Sequence, residues 1–293
     1  MRRRTALAAL TATATAALLS VAAPASAINS YNAQPAPERA EVGALVVQYD
    51  RDGNPATPDV VRWSCSGTMI SADVFLTAAH CTANRPTGTK FYVSLAQDVQ
   101  GSINASNTLG GTPEQIAGRV GVEGTAHSDP AYPGNSADSH DIAVIKLAGA
   151  QTTELAKRWP FTPATLPSAN QLSGLGSRAL DAAHWQVMGY GTQEALNQPG
   201  GQTHPGGGVR MKGTLDFDAL NKTWVRLAMN ESRGLGGACY GDSGGPNFAT
   251  LDGKRVLAGT TITGDGPCYA TNVAYRMDSA SARAFLGQYV TLP

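Results

Sequence analysis

The chain has 293 residues, enough for two compact domains or one large one, and its hydrophobic content of 42% is ordinary for a globular protein. Its 22 basic and 22 acidic side chains cancel. That balance offers no extended basic face of the kind a phosphate backbone requires, which excludes nucleic acid as a partner.

The first segment reads as an address. Arg2, Arg3 and Arg4 precede an Ala/Leu/Val-rich stretch that ends at Ala25-Ser26-Ala27, a small-x-small cleavage site. The stretch runs into Pro24 and small residues, whereas a membrane span needs roughly 20 strongly apolar residues. Residues 1–27 are therefore expected to be a signal peptide, and the mature chain to be secreted and extracellular with no membrane association. Export permits disulfides. The mature part holds four cysteines, Cys65, Cys81, Cys239 and Cys268, for which three pairings are open. Nearest-neighbour pairing, Cys65 with Cys81 and Cys239 with Cys268, closes short loops, each bridge contributing about 3 kcal/mol on a chain-entropy model. No Cys-x-x-Cys or paired His/Cys cluster has zinc spacing, so no metal is expected.

From Ile28 onward short β-favouring runs follow one another: Ala44-Leu45-Val46-Val47, Val74-Phe75-Leu76, Phe91-Tyr92-Val93 and Ile142-Ala143-Val144-Ile145. Loops rich in Gly, Pro, Asn and Ser separate them, and helical periodicity is nearly absent. This texture predicts an all-β protein of antiparallel barrels or a sandwich rather than alternating βαβ units. Residues 159–177, rich in Pro, Ser, Gly and Thr, read as the connection between two β domains. Residues 197–208, with Pro199-Gly200-Gly201 and Pro205-Gly206-Gly207-Gly208, read as a flexible surface loop; these glycines introduce no helix and so cradle no phosphate. At the C-terminus, Asp278 or Ser279 is positioned to cap one helix carrying Ala280, Ala282, Ala284, Phe285, Leu286 and Tyr289.

Three strings carry chemistry: Leu76-Thr77-Ala78-Ala79-His80-Cys81, Asp141-Ile142-Ala143-Val144-Ile145-Lys146-Leu147 and Gly241-Asp242-Ser243-Gly244-Gly245-Pro246. A serine hydroxyl is a weak nucleophile until an imidazole accepts its proton. The imidazole needs a partner for its second N–H, and a buried carboxylate both orients it and stabilises the imidazolium. Glycines around the serine allow a tight turn that aims amides at a developing oxyanion. In order and content the three strings resemble the signature segments of the chymotrypsin/trypsin family of serine proteases, here as a secreted, bacterial-type member.

The resemblance covers residues 28–293 and implies two packed antiparallel β-barrels with a C-terminal α-helix, the first barrel over about 28–160 and the second with the terminal helix over about 161–293. It implies Ser243 as nucleophile, His80 as general base and Asp141 as the orienting group, with the amides of Gly241 and Ser243 as the oxyanion hole. It also implies the disulfide pairs around the catalytic His and Ser, and a cofactor-free monomeric endopeptidase acting on protein or peptide substrates through an acyl-enzyme. In such enzymes a new N-terminal amine pairs with the Asp before the serine, here Asp242. Cleavage after Ala27 exposes Ile28, and Ile28-Asn29-Ser30-Tyr31 stands where the family has Ile-Val-Gly-Gly. The substrate pocket falls to Gly237, Gly264 and Asn272. Gly237 stands where trypsin-like members carry an Asp that selects Arg or Lys, so strict tryptic specificity is not expected and apolar or aromatic side chains are favoured. Asp265 reads as a solvated loop carboxylate.

Other readings are weaker. His140 points to the opposite side of an extended chain from Asp141, and His127, His184 and His204 lack a motif. Gly241-Asp242-Ser243-Gly244-Gly245 also fits the nucleophile elbow of α/β-hydrolases, but those enzymes place His after Ser and the last histidine here is His204. Asn104, Asn221 and Asn230 begin glycosylation triplets. A protease-like binding or adhesion protein is the alternative from another class; such proteins typically lose a triad member, and none is lost here.

Overall fold

The computed structural model describes residues 28–54 and 56–293. The signal peptide assigned to residues 1–27 lies outside them. After the two-residue strand β1 (Gln34–Pro35), the strands β2 (Val42–Tyr49), β3 (Val60–Met69), β4 (Val74–Thr77), β5 (Lys90–Ser94), β6 (Val122–Ser128) and β7 (Ala143–Lys146) close an antiparallel barrel in the order β2-β3-β4-β7-β6-β5. The apolar run in β2 is buried along nearly its whole length, because one face fills the barrel and the other is covered. Closure also removes the exposed strand edges that would otherwise template aggregation.

The second half contributes β8 (His184–Gly189), a small hairpin of β9 (Leu196–Gln198) and β10 (Gly201–Thr203), then β11 (Met211–Leu220), β12 (Trp224–Ala228), β13 (Pro246–Leu251), β14 (Lys254–Gly264) and β15 (Thr271–Arg276). Its strands run β11-β12-β15-β14-β13-β8, and β8 pairs back onto β11 to close a second barrel of six strands. β1 adds to β11 outside the ring. The all-β, two-barrel architecture expected from the sequence is the one observed.

The helices are more numerous than the sequence suggested. The one-turn α1 (Ala79–Thr82), α2 (Val99–Leu109), α3 (Pro113–Val120), α4 (Gly149–Arg158) and α5 (Gln171–Ala182) all precede the expected C-terminal α6 (Ala280–Leu286). α3 opens with a capping box, Thr112 and Gln115 bonding reciprocally around Pro113, a signal that is readable in sequence. α5 occupies the last part of the stretch read as a linker and kinks at Gly176, whose φ is 72°. The 197–208 stretch read as a loop contains the β9–β10 hairpin. Ser279 rather than Asp278 caps α6, accepting from the Ala282 amide, while Asp278 is buried against Arg276.

The barrels share a core in which Val42, Leu76 and Tyr92 of the first join Tyr190, Phe248 and Tyr275 of the second, with Phe285 and Leu286 of α6. Arg210 bolts the two together: only 2% exposed, it donates from Nε to the Ala36 carbonyl and from Nη1 to the Val42 and Leu95 carbonyls and the Tyr190 hydroxyl. A buried guanidinium is tolerable only when its donors are satisfied in this way. Both nearest-neighbour disulfides form, Cys65–Cys81 and Cys239–Cys268, spanning sequence separations of 16 and 29. Among the described residues no helix is long and apolar enough to cross a membrane.

Candidate active site

β4 and β7 are antiparallel neighbours with Thr77 opposite Ala143. That register places the residues just after β4 beside those just before β7, and so brings α1 against Asp141. Asp141 is buried, and its carboxylate is used twice on one residue: Oδ1 accepts from the His80 backbone N–H at 2.9 Å and Oδ2 lies 2.8 Å from His80 Nδ1. Two bonds to one histidine fix both the backbone and the ring plane, so Nδ1 carries the proton and Nε2 is left as the basic nitrogen. His140 turns elsewhere, to Asp129 at 3.0 Å and Asp138 at 3.7 Å, consistent with the bystander reading. His127 packs on the Tyr289 ring, and His204 on the Tyr240 ring.

Ser243 sits in the turn between Cys239 and β13. The turn needs positive φ at Gly241 (97°) and Gly244 (76°), a region that favours glycine. The first barrel holds this turn directly. The Ser66 N–H donates to the Ser243 carbonyl at 2.9 Å, and the Ser66 hydroxyl donates to the Gly241 carbonyl at 2.9 Å. Among the described residues the amides of Gly241 and Ser243 have no acceptor, and the Ser243 hydroxyl has no hydrogen bond. Both residues line, with His80, one cleft of about 500 Å³ between the barrels. Two amides without acceptors, a hydroxyl and an imidazole nitrogen lining one cleft are the kinds of group that acyl transfer requires: a nucleophile, a proton acceptor and donors for the oxyanion.

A model of the trypsin family matches residues 46–282. The chain belongs to the trypsin family. It is 25% identical over 243 residues to melanization protease 1 of Drosophila melanogaster, a match covering 76% of this chain and 56% of that protein. It is 26% identical over 233 residues to coagulation factor XII of Sus scrofa, covering 78% of this chain and 36% of that protein. With trypsin delta of Drosophila melanogaster the identity is 25% over 238 residues, covering 76% of this chain and 77% of that protein. The chain thus spans little more than half the length of melanization protease 1. At this level it is a serine-peptidase domain of the trypsin family.

Within that trypsin-family frame the remaining predicted residues separate. Gly264 and Asn272 line the cleft. Gly237 does not: Ala238 takes the wall, and a Cβ on Gly237 would meet Met229 Sδ at 2.2 Å. Asn272 is fully buried and donates from Nδ2 to Asn247 Oδ1 at 2.7 Å. Asp265 also lines the cleft, as a partly exposed loop carboxylate; its oxygens accept the amides of Tyr269, Ala270 and Thr271 at 2.6–3.0 Å and hold the loop before β15.

Asp242 is fully buried, and its carboxylate accepts the Gly191 and Cys239 amides at 2.8 Å each. Burial pushes its pKa up to about 7, against the pull of those two amides, and no basic side chain among the described residues pairs with it. Ile28 lies fully buried in the second barrel's core. The residues that depart from Ile-Val-Gly-Gly all find partners. Asn29 bonds Gly237 twice, through its own N–H at 3.0 Å and from the Gly237 amide to Oδ1 at 2.8 Å. Ser30 donates through both N–H and hydroxyl to the two oxygens of Glu194, and the Tyr31 hydroxyl reaches the Cys268 carbonyl at 3.3 Å.

The motif reading missed the supports: Ser66, Glu194 and Trp63, whose indole lies against Gly241 and donates to Gln100 Oε1 at 2.9 Å. Ser66 follows a half-cystine in a strand, and nothing in the local sequence marks it as bridging two barrels.

Proposed function

We propose that this chain is a secreted serine endopeptidase in which Ser243 attacks the scissile carbonyl, His80 takes its proton and Asp141 holds His80. The observation that carries the reading is the pair of hydrogen bonds from the backbone and ring of His80 to Asp141, with His80 lining the same cleft as Ser243 and the two unengaged amides. As Ser243 Oγ bonds to the carbonyl carbon, its proton passes to His80 Nε2, and the oxyanion is received by the Gly241 and Ser243 amides. The imidazolium then returns the proton to the leaving amine as the C–N bond breaks. Water, deprotonated by the same nitrogen, hydrolyses the acyl-serine. No step needs a cofactor.

The pocket supports a preference other than strictly tryptic. No carboxylate stands at Gly237, and that of Asp265 is committed to three amides, so nothing is free to select Arg or Lys. The exposed Tyr240 at the mouth suits apolar or aromatic side chains. The division into barrels near residue 160, secretion after cleavage at Ala27, a monomeric state and a bacterial-type, two-disulfide frame belong to the same reading.

Cleavage before Ile28 is supported by the backbone. The Asn29 N–H donates to the Gly237 carbonyl and the Ser30 N–H to Glu194 Oε2, which anchors the segment that follows the cleaved bond. The liberated ammonium supplies the charge that buried Asp242 lacks.

Labelling by a serine-directed fluorophosphonate tests the whole. The protein beginning at Ile28 is expected to label and Ser243→Ala not to. Failure of the correctly processed protein to label would favour a non-catalytic, protease-like binding protein.

A further inference from the structure

The cleft has two walls of different character. The second barrel supplies Ala238, Tyr240, Gly264 and Asn272; the first supplies Ser64, Cys65, His80 and Arg85. Arg85 follows α1 and is half-buried. Its Nε donates to the Cys81 carbonyl at 2.8 Å, which pins the side chain against the half-cystine next to His80. Its two terminal nitrogens have no hydrogen-bond acceptor among the described residues, and it forms no ion pair. Burial lowers its pKa, and the charged side chain it feels most, Arg62, is another cation that lowers it further. Arg62 in turn lies 5.5 Å over the Tyr49 ring rather than against a carboxylate. The carboxylate of Asp265 is the acid among the cleft-lining side chains. It belongs to the opposite wall, and both its oxygens are occupied.

A half-buried guanidinium whose terminal donors are uncommitted within the chain and which has no counter-charge is suited to bind a carboxylate, because Arg presents paired N–H groups matched to two carboxylate oxygens. Which part of a substrate reaches it follows from the proton path. The group protonated by His80 is the leaving amine, so the residues after the scissile bond leave along the wall that carries His80, which is the wall of Arg85.

We propose that Arg85 binds a carboxylate on the leaving-group side of the cleaved bond, so that the preferred substrates carry Asp or Glu just after it. This rests on the peptidase reading and adds to it a substrate class. Arg62 reinforces the field without contacting the bond.

Two measurements test it. In the first, Ser243→Ala protein binds uncleaved peptides identical up to the scissile bond and carrying Glu-Glu or Gln-Gln after it. The acidic peptide is expected to bind at least five-fold tighter at low salt, with the advantage shrinking as salt screens it and vanishing in Ser243→Ala/Arg85→Gln. In the second, the ratio of kcat/KM for acidic over neutral quenched peptides is read in wild type, Arg85→Gln and Arg85→Glu, so that a general loss of activity cancels. The ratio is expected to fall at least five-fold in Arg85→Gln and to reverse towards Lys-bearing peptides in Arg85→Glu. Equal ratios in wild type and Arg85→Gln, or a wild-type preference for neutral or basic residues, overturn the proposal. Acidic preference in binding with no cleavage of any peptide leaves the carboxylate site standing and sinks the peptidase reading instead.

Discussion

The Ser66 hydroxyl donates to the Gly241 carbonyl and accepts the Tyr190 amide, both at 2.9 Å. A single side chain of the first barrel thereby sets the peptide leading to Ser243 and the strand end beside Asp242. The Ser66 carbonyl is itself held by the Thr77 hydroxyl at 2.8 Å, from the end of β4 that leads to His80. His80 and Ser243, which lie far apart in sequence, share one fully buried support.

Ser66→Ala is therefore expected to leave the Gly241 carbonyl and Tyr190 amide without their partner, at about 1–3 kcal/mol for the buried groups. Because the loss falls on the turn bearing Ser243, kcat for a chromogenic peptide should drop roughly ten-fold or more for that energy, with KM little changed. A drop confined to the denaturation midpoint, with kcat intact, would show Ser66 to be scaffold alone.

Gly241→Ala should be far more damaging. The new Cβ would stand 2.3 Å from the Trp63 ring, and φ is 97°, where an L side chain is strained even in open space. Ala keeps the backbone N–H, but the strain displaces it, and if the Gly241 amide serves the oxyanion as proposed the loss in kcat should approach the about two to three orders of magnitude typical of a missing oxyanion donor. Adding Trp63→Ala removes the clash but not the torsional strain, so the double variant should recover less than a tenth of the lost activity in the same assay. Full recovery would mean that the clash was the whole defect.

Gly237→Asp, the substitution a sequence comparison recommends for creating Arg specificity, is expected to fail. The Cβ direction at Gly237 runs into Met229, with Sδ at 2.2 Å and Cβ at 2.4 Å, and the Gly237 amide and carbonyl are both bonded to Asn29. A carboxylate there faces Met229 rather than the cleft. A panel of chromogenic peptides should show no more than a few-fold change in the Arg-to-Phe ratio; a hundred-fold gain for Arg would reverse this account of the pocket.

What could be read in advance follows from which forces act locally. Alternating and fully apolar runs mark β-strands whatever they pack against, so the barrels were legible, and the disulfides followed once neighbouring cysteines proved close in space. Helices α2 and α4 were not, because their apolar positions are few: α2 buries Val99, Ile103 and Ser106, and α4 buries Leu155. With so few anchors the 3.6-residue period is not visible. Gly237, expected in the substrate pocket, does not line the cleft, since a spacing count cannot say which way a Cβ points. Partners such as Ser66 to Gly241 and Ser30 to Glu194 are long-range, and nothing in either local string announces the other.

Asp242 yields the most discriminating experiment. With only two amide partners its carboxyl is held at about 7 in the folded chain against an ordinary 3.8. A folded acid with a raised pKa keeps its proton where the unfolded chain has released it, so the unfolded state binds fewer protons and stability falls as pH rises between about 4 and about 7, levelling off above. An ammonium on Ile28 reverses the cause by favouring the ionised form. Protein beginning at Ile28 should therefore lack this decline and stay active until its amine deprotonates, above the ordinary α-amino range of about 7.7–8.0. Protein carrying two extra residues before Ile28 should lose denaturation midpoint from pH 5 to pH 8 relative to the trimmed form, and its fluorophosphonate labelling at pH 8 should be slower by at least ten-fold. In Asp242→Asn the difference between the two forms should disappear. Identical pH profiles for trimmed and extended wild-type chains would show that Asp242 draws its compensation from somewhere other than the Ile28 amine.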